Sequence, residues 1–153
     1  MVDQAIELSS VRKESGAALL KMTDDLGFGA VGAGWIYSRA PNLWFYFLVS
    51  PAVDSHGPAW VYQRLTQVYQ KLTLPPAISP LDIRVLSPQE SFFREFPLKA
   101  NVDIAGVDMT LEFNGRPPGV GVDYLFAYRM RPNAAVKDPA KVFDRRVREL
   151  MAA

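Results

Sequence analysis

The chain contains no cysteine and a single histidine, His56. Without a thiol there can be no disulfide, no thiolate nucleophile and no cysteine-bound zinc or iron–sulfur site. One imidazole cannot supply the two or three ligands of a mononuclear histidine site within one chain. Long apolar runs are missing as well, since none reaches the roughly 18 residues of a membrane-spanning helix. Met1 to Ser10 carries acids and lacks the cationic-then-apolar pattern of a signal peptide. A cytoplasmic protein without membrane contact is therefore expected. Lysine and arginine number 17 against 16 acids, and a net charge of +1 exerts no overall pull on nucleic acid. No cofactor is expected.

What is present is ordinary globular material. A chain of 153 residues, 49% hydrophobic and 22% charged, can bury a good core, and one domain over residues 1–153 is expected. The run Leu43-Trp44-Phe45-Tyr46-Phe47-Leu48-Val49 is apolar on both alternating faces. A strand of that kind is covered on both sides, so it is expected at the middle of a sheet.

Around it the pattern alternates between helix and strand. Ser9 and Ser10 precede a helical stretch with Val11, Ala18, Leu19, Met22 and Leu26 on one side, and Gly27 stands where a helix ends. Ala30 to Ser38 reads as a strand whose second face, Ala30, Gly32, Gly34 and Ile36, is nearly bare. Something must lie close against Gly32 and Gly34, either a helix or a ligand. Arg39 to Asn42 turns into the central run, forming a hairpin. Pro58 opens a helix with the stripe Val61, Tyr62, Leu65, Val68, Tyr69 and Leu72. Leu81 to Leu86 reads as a strand, and Ser87-Pro88-Gln89-Glu90 as a capping box before a short helix with Phe92, Phe93 and Phe96.

The last third looks antiparallel. Val107, Met109, Leu111 and Phe113 alternate with polar residues, and Asn114-Gly115 starts a turn into the loop Arg116 to Gly121. Val122, Tyr124, Phe126, Tyr128 and Met130 share one face of the next strand. Asp138-Pro139 caps a final helix bearing Val142, Phe143, Val147 and Leu150. This order predicts an α+β fold, a single mixed and largely antiparallel sheet of about five or six strands flanked by helices. Sensory and ligand-binding domains of the GAF or PAS type are similar in order and size, a likeness of architecture alone.

Chemical motifs are sparse. Gly27-Phe28-Gly29-Ala30-Val31-Gly32 matches the dinucleotide glycine pattern, but helix precedes strand, the reverse of what a phosphate site needs. Asp54, Ser55 and His56 are the residue types of a hydrolytic triad, yet consecutive residues cannot form one. Asp103, Asp108, Glu112 and Asp123 fall on neighbouring strands and suit either a divalent cation or a solvated sheet face. The basic residues Arg129, Arg131, Lys137, Lys141, Arg145, Arg146 and Arg148 gather near the carboxyl end without interleaved aromatics, so nucleic acid is not the expected partner.

All three tryptophans fall between Phe28 and Tyr69. Trp60 projects about 100° away from the apolar stripe of its helix. It either staples the helix start or anchors a partner. The sequence therefore favours binding over catalysis. The leading expectation is an interaction or assembly subunit that meets a protein partner, or itself, through Trp60, His56 and the loop residues Arg116, Pro117 and Gly119. A small-molecule-binding, sensory-like domain with a pocket over Gly32 and Gly34 is the alternative. An enzyme using His56 or the carboxylates Asp108, Glu112 and Asp123 comes third.

Overall fold

A computed structural model describes residues 7–38, 43–94, 102–110, 124–131 and 137–153, with the backbone alone for Ser38, Ser91, Phe92 and 102–110. The elements run α1 (Ser10–Asp25), β1 (Gly32–Ser38), β2 (Leu43–Val49), α2 (Ala52–His56), α3 (Pro58–Lys71), β3 (Ile83–Leu86), α4 (Ser91–Arg94), β4 (Val102–Thr110), β5 (Tyr124–Met130) and α5 (Ala140–Ala152). Among the described residues no helix is long and apolar enough to cross a membrane.

The strands lie in the order β3-β2-β1-β5-β4. The α+β class holds. The finer expectation of five or six largely antiparallel strands needs correction. The part with described side chains has four strands, β3, β2, β1 and β5, and it is mixed, because β3 runs parallel to β2. β4 adds to β5 through its backbone. The double-faced run is β2, yet the middle place belongs to β1, which pairs antiparallel with both β2 and β5. β2 is apolar on both faces because it is paired on both edges and covered above and below. Tyr46 to Val49 are buried, while Leu43 at its start is 52% exposed.

One core lies between the sheet and helices α1, α3 and α5. It gathers Leu19, Trp35, Tyr46, Leu48, Leu65, Val68, Phe126, Phe143 and Val147. A smaller one on the opposite face holds Val31, Phe47, Val49, Phe93, Leu125, Ala127 and Met130. In α3 the apolar stripe is buried at Val61, Leu65 and Val68. Tyr62 turns to the sheet edge instead, where its hydroxyl oxygen accepts the Val85 N–H at 2.8 Å. That bond occupies part of the outer edge of β3, which would otherwise be open to pairing.

α1 begins as its sequence indicates, with the Ser9 hydroxyl accepting the Arg12 N–H at 3.2 Å. It ends in a Schellman-type cap: Gly27 has φ +72°, the Phe28 N–H reaches Thr23 O and the Gly27 N–H reaches Asp24 O. Its buried face is the expected one only in part, since Leu19 and Leu26 are buried and Met22 packs against the core while Val11 and Ala18 are exposed. Val11 is 52% exposed, and the buried residues are Ser15, Gly16, Leu19, Leu20 and Thr23. Polar bonds choose this face. Tyr46 Oη donates to Gly16 O at 2.8 Å, Trp35 Nε1 to Arg12 O at 3.1 Å and Tyr128 Oη to Lys13 O. Small residues on α1 let these large rings reach its carbonyls.

The β1–β5 pairing slips by one residue. Ala33 faces Arg129 and Gly34 faces Ala127, leaving Tyr128 as the extra residue of a bulge. Phe126 and Tyr128 join the helix-side core, while Met130 joins the opposite one. The expected common face of Phe126, Tyr128 and Met130 is corrected for that reason. The bulge also aims Arg129 at α1, where its guanidinium grips the Asp24 carboxylate with two bonds of 2.9 and 3.0 Å.

The capping box expected at Ser87 lies elsewhere. Ser79 and Asp82 form one around a single 3₁₀ turn, Pro80–Asp82. Ser87 instead donates its hydroxyl to Asp54 and accepts the Gln89 N–H at 2.9 Å, and α4 starts only at Ser91.

Candidate functional site

Gly57, with φ +84°, breaks the helical path between α2 and α3, and Pro58 restarts it. The break brings the last side chain of α2, His56, over the first turn of α3. Its ring stacks on Trp60 with centroids 4.3 Å apart and planes 22° from parallel. One turn further on, the Arg64 guanidinium lies 3.7 Å from the Trp60 ring centroid. An edge contact with Phe143 of α5, at 6.2 Å and 62°, attaches the indole to the core. Trp60 packs α3 onto α5, and its remaining surface lies between an imidazole and a guanidinium.

Arg64 is held from the far side. Its Nε donates to Asp144 at 2.8 Å, and both side chains are mostly covered, at 17% and 23% exposure. Arg148 reaches the other carboxylate oxygen of Asp144 at 3.1 Å. Arg64 Nη1 also donates to Trp60 O at 3.3 Å. The result is a fixed cationic–aromatic surface where α2, α3 and α5 meet, with His56 exposed at its rim. Sequence reading singled out His56 and Trp60 but missed Arg64 and Asp144. The spacing of Arg64, four residues after Trp60, was the available signal.

The nucleophile types around His56 are engaged elsewhere. Ser55 Oγ donates to Ala52 O at 3.2 Å, and Asp54 accepts the Ser87 hydroxyl. Among the described residues no group of three His, Asp or Glu side chains is set to hold a metal ion. Of the carboxylates considered, Asp103 and Asp108 lie on β4, whose side chains are outside the description, and Glu112 and Asp123 are outside the described residues. Arg116, Pro117 and Gly119 also lie outside them.

Gly32 and Gly34 are buried. A Cβ on Gly32 would stand 2.6 Å from the Phe93 ring, so this short helix supplies the body that covers the bare face. At Gly34 the close neighbours are β5 backbone at the bulge, with Ala127 Cα 2.9 Å from the Cβ position, and the Phe47 ring.

On the helix side lie three tyrosines whose ionisation is suppressed. Burial raises Tyr46 well above its ordinary value, with Tyr128 and Tyr69 adding to the effect. Burial likewise raises Tyr69, reinforced by Tyr62. It pushes Tyr128 up to about 12 against an opposing hydrogen bond from Trp35. All three phenols stay protonated at any ordinary pH, and Tyr46 and Tyr128 use that proton to donate to α1 carbonyls.

Compared with known proteins, the chain matches no family model, no curated protein and no solved structure.

Proposed function

We propose that this chain is a non-enzymatic interaction or assembly subunit that meets a protein partner, or a second copy of itself, through the surface of His56, Trp60 and Arg64. The observation that carries the reading is the stack itself, an imidazole, an indole and a guanidinium pinned by Asp144. Tryptophan and arginine carry a disproportionate share of binding energy at protein interfaces. Side chains already fixed before contact lose little rotamer freedom on binding, which removes one of the main costs of association. The loop residues Arg116, Pro117 and Gly119 join the surface in this reading on sequence grounds. The protein would act in the cytoplasm and without a cofactor.

His56→Ala is the discriminating variant. His56 is exposed, so its loss should move stability by no more than about 0.5 kcal/mol. Trp60→Ala also removes the Phe143 contact and mixes packing with binding. Native mass spectrometry on protein purified gently from its own cells should give the mass of a complex for the wild type and of the bare chain for His56→Ala. A complex of unchanged mass and abundance in the variant would contradict the reading, and so would a bare wild-type chain.

A further inference from the structure

α3 and α5 run side by side in the same direction. Trp60 meets Phe143 near their starts, Arg64 meets Asp144 further on, and Lys71 Nζ donates to Ala153 O at their ends, at 2.9 Å. The pair carries six basic residues, Arg64, Lys71, Lys141, Arg145, Arg146 and Arg148, against the two acids Asp144 and Glu149. Out of 17 basic and 16 acidic residues in the chain, that leaves 11 against 14 elsewhere. An almost neutral protein thus concentrates its positive charge on one pair of helices.

Helical spacing sorts these cations. Phe143 and Val147 face the core. Lys141, Arg145 and Arg148, at i, i+4 and i+7, project from the outer side, with Asp144 at the border toward Arg64. Arg146 leaves by the other border, where it donates to Asp25 O at 2.9 Å. The outer face is poorly neutralised from within. Asp144 is shared by Arg64 and Arg148. Glu149 stands 3.9 Å from Arg145, both mostly exposed, a pair of little worth in water. Lys141 is exposed and has no ion-pair partner among the described residues. α3 has no acid at all, and Asp54 on neighbouring α2 is engaged by Ser87.

We infer, resting on the binding role proposed above, that this face takes an acidic segment of a partner protein, with several Asp or Glu side chains. It is continuous with the stack of His56, Trp60 and Arg64 through Asp144. Charge complementarity sets the class, because opposite charges speed encounter and like charges brought together are costly. Arginine clusters are recurrent readers of acidic motifs. Nucleic acid would answer the same charge, but single strands are gripped by aromatic faces open for stacking, and Trp60 already has His56 and Arg64 against its ring. A second copy does not supply the segment. The longest acidic run in this chain is Asp24-Asp25, and Arg129 and Lys21 hold both.

The test uses the full chain purified gently from its own cells as wild type, as His56→Ala and as the double variant Lys141→Glu with Arg145→Glu. Melting curves establish that each folds. Carbodiimide joins a lysine amine to a carboxyl group in contact with it. On the wild type it should link Lys141 to an Asp or Glu within an acid-rich stretch of the partner, as read by peptide mass mapping. Native mass spectrometry should show the complex reduced about tenfold or more in the charge-reversed protein. The wild-type complex should also decline as ammonium acetate is raised. A complex lost in His56→Ala but kept in the charge-reversed protein would overturn the acidic partner and leave the stack as the contact. A bare wild-type chain would contradict both. A link to a segment without clustered acids, or a complex released by nuclease, would also overturn the proposal.

Discussion

A Cβ on Gly16 would clash with the Tyr128 hydroxyl, and Trp35 Nε1 lies 2.7 Å from the same point. With the Tyr46 hydroxyl on Gly16 O, this holds α1 to its sheet by aromatic donors as well as by the buried Leu19 and Leu20. The backbone carbonyls of Arg12, Lys13 and Gly16 act as the docking surface.

Gly16→Ala therefore should not behave as a helix glycine usually does. In an exposed helix the change stabilises by about 1 kcal/mol. Here the methyl displaces Tyr128 and Trp35, and overpacking of this kind costs roughly 1–3 kcal/mol. For a chain of this size that lowers the melting temperature by roughly 2–4 °C per kcal/mol. A rise in melting temperature would mean the rings are free to move aside.

The fit of Phe93 over Gly32 can be tested by a mutant cycle. Gly32→Leu should destabilise strongly, and Phe93→Ala should cost about 3–5 kcal/mol by leaving a cavity. In the double variant the leucine occupies space the ring has vacated, so the loss should be smaller than the sum by at least about 1 kcal/mol. Denaturant melts of the four proteins measure this. Additivity within about 0.5 kcal/mol would show that the ring and residue 32 do not share that space.

Alkaline stability should report the buried phenols. An unfolded tyrosine ionises near pH 10. In the folded protein Tyr128 is pushed up to about 12 by burial. Its contribution is fully present below about pH 10 and is lost as pH rises toward 12, because the unfolded chain releases the proton first. Tyr46 and Tyr69 are raised as well, so they act with the same sign. Urea midpoints between pH 9 and 12 should fall for the wild type and fall less steeply for Tyr128→Phe. Equal slopes would mean Tyr128 ionises alike in both states.

Local chemistry was legible in the sequence, and partner choice was not. Ser9 as an N-cap, Gly27 as a C-terminal stop and the buried residues of α3 follow from patterns a few residues long. That β3 lies beside β2 in parallel depends on where a connection returns, which no local pattern encodes. The apolar run of β2 spoke for burial on two faces, and it could not distinguish the middle strand from its neighbour. The bulge at Tyr128 was hidden because an alternating sequence reads the same with or without an extra residue. Part of the buried face of α1, around Ser15 and Gly16, escaped for another reason: Gly16 is chosen by the rings above it, while hydrophobic periodicity counts only the helix's own side chains. At the candidate site Trp60 and His56 were found from their types, whereas Asp144 is brought to Arg64 only by the packing of α5 on α3.

The most direct test of the proposed surface is a photo-crosslinking residue, benzoylphenylalanine, placed at position 59, exposed beside Trp60 on the first turn of α3, in the cells that make the protein. Position 11, half exposed on α1, serves as the control. A discrete adduct of defined mass from position 59, absent from position 11 and lost on adding His56→Ala, is the predicted result. Equal adducts at the two positions, or none at position 59, would contradict it.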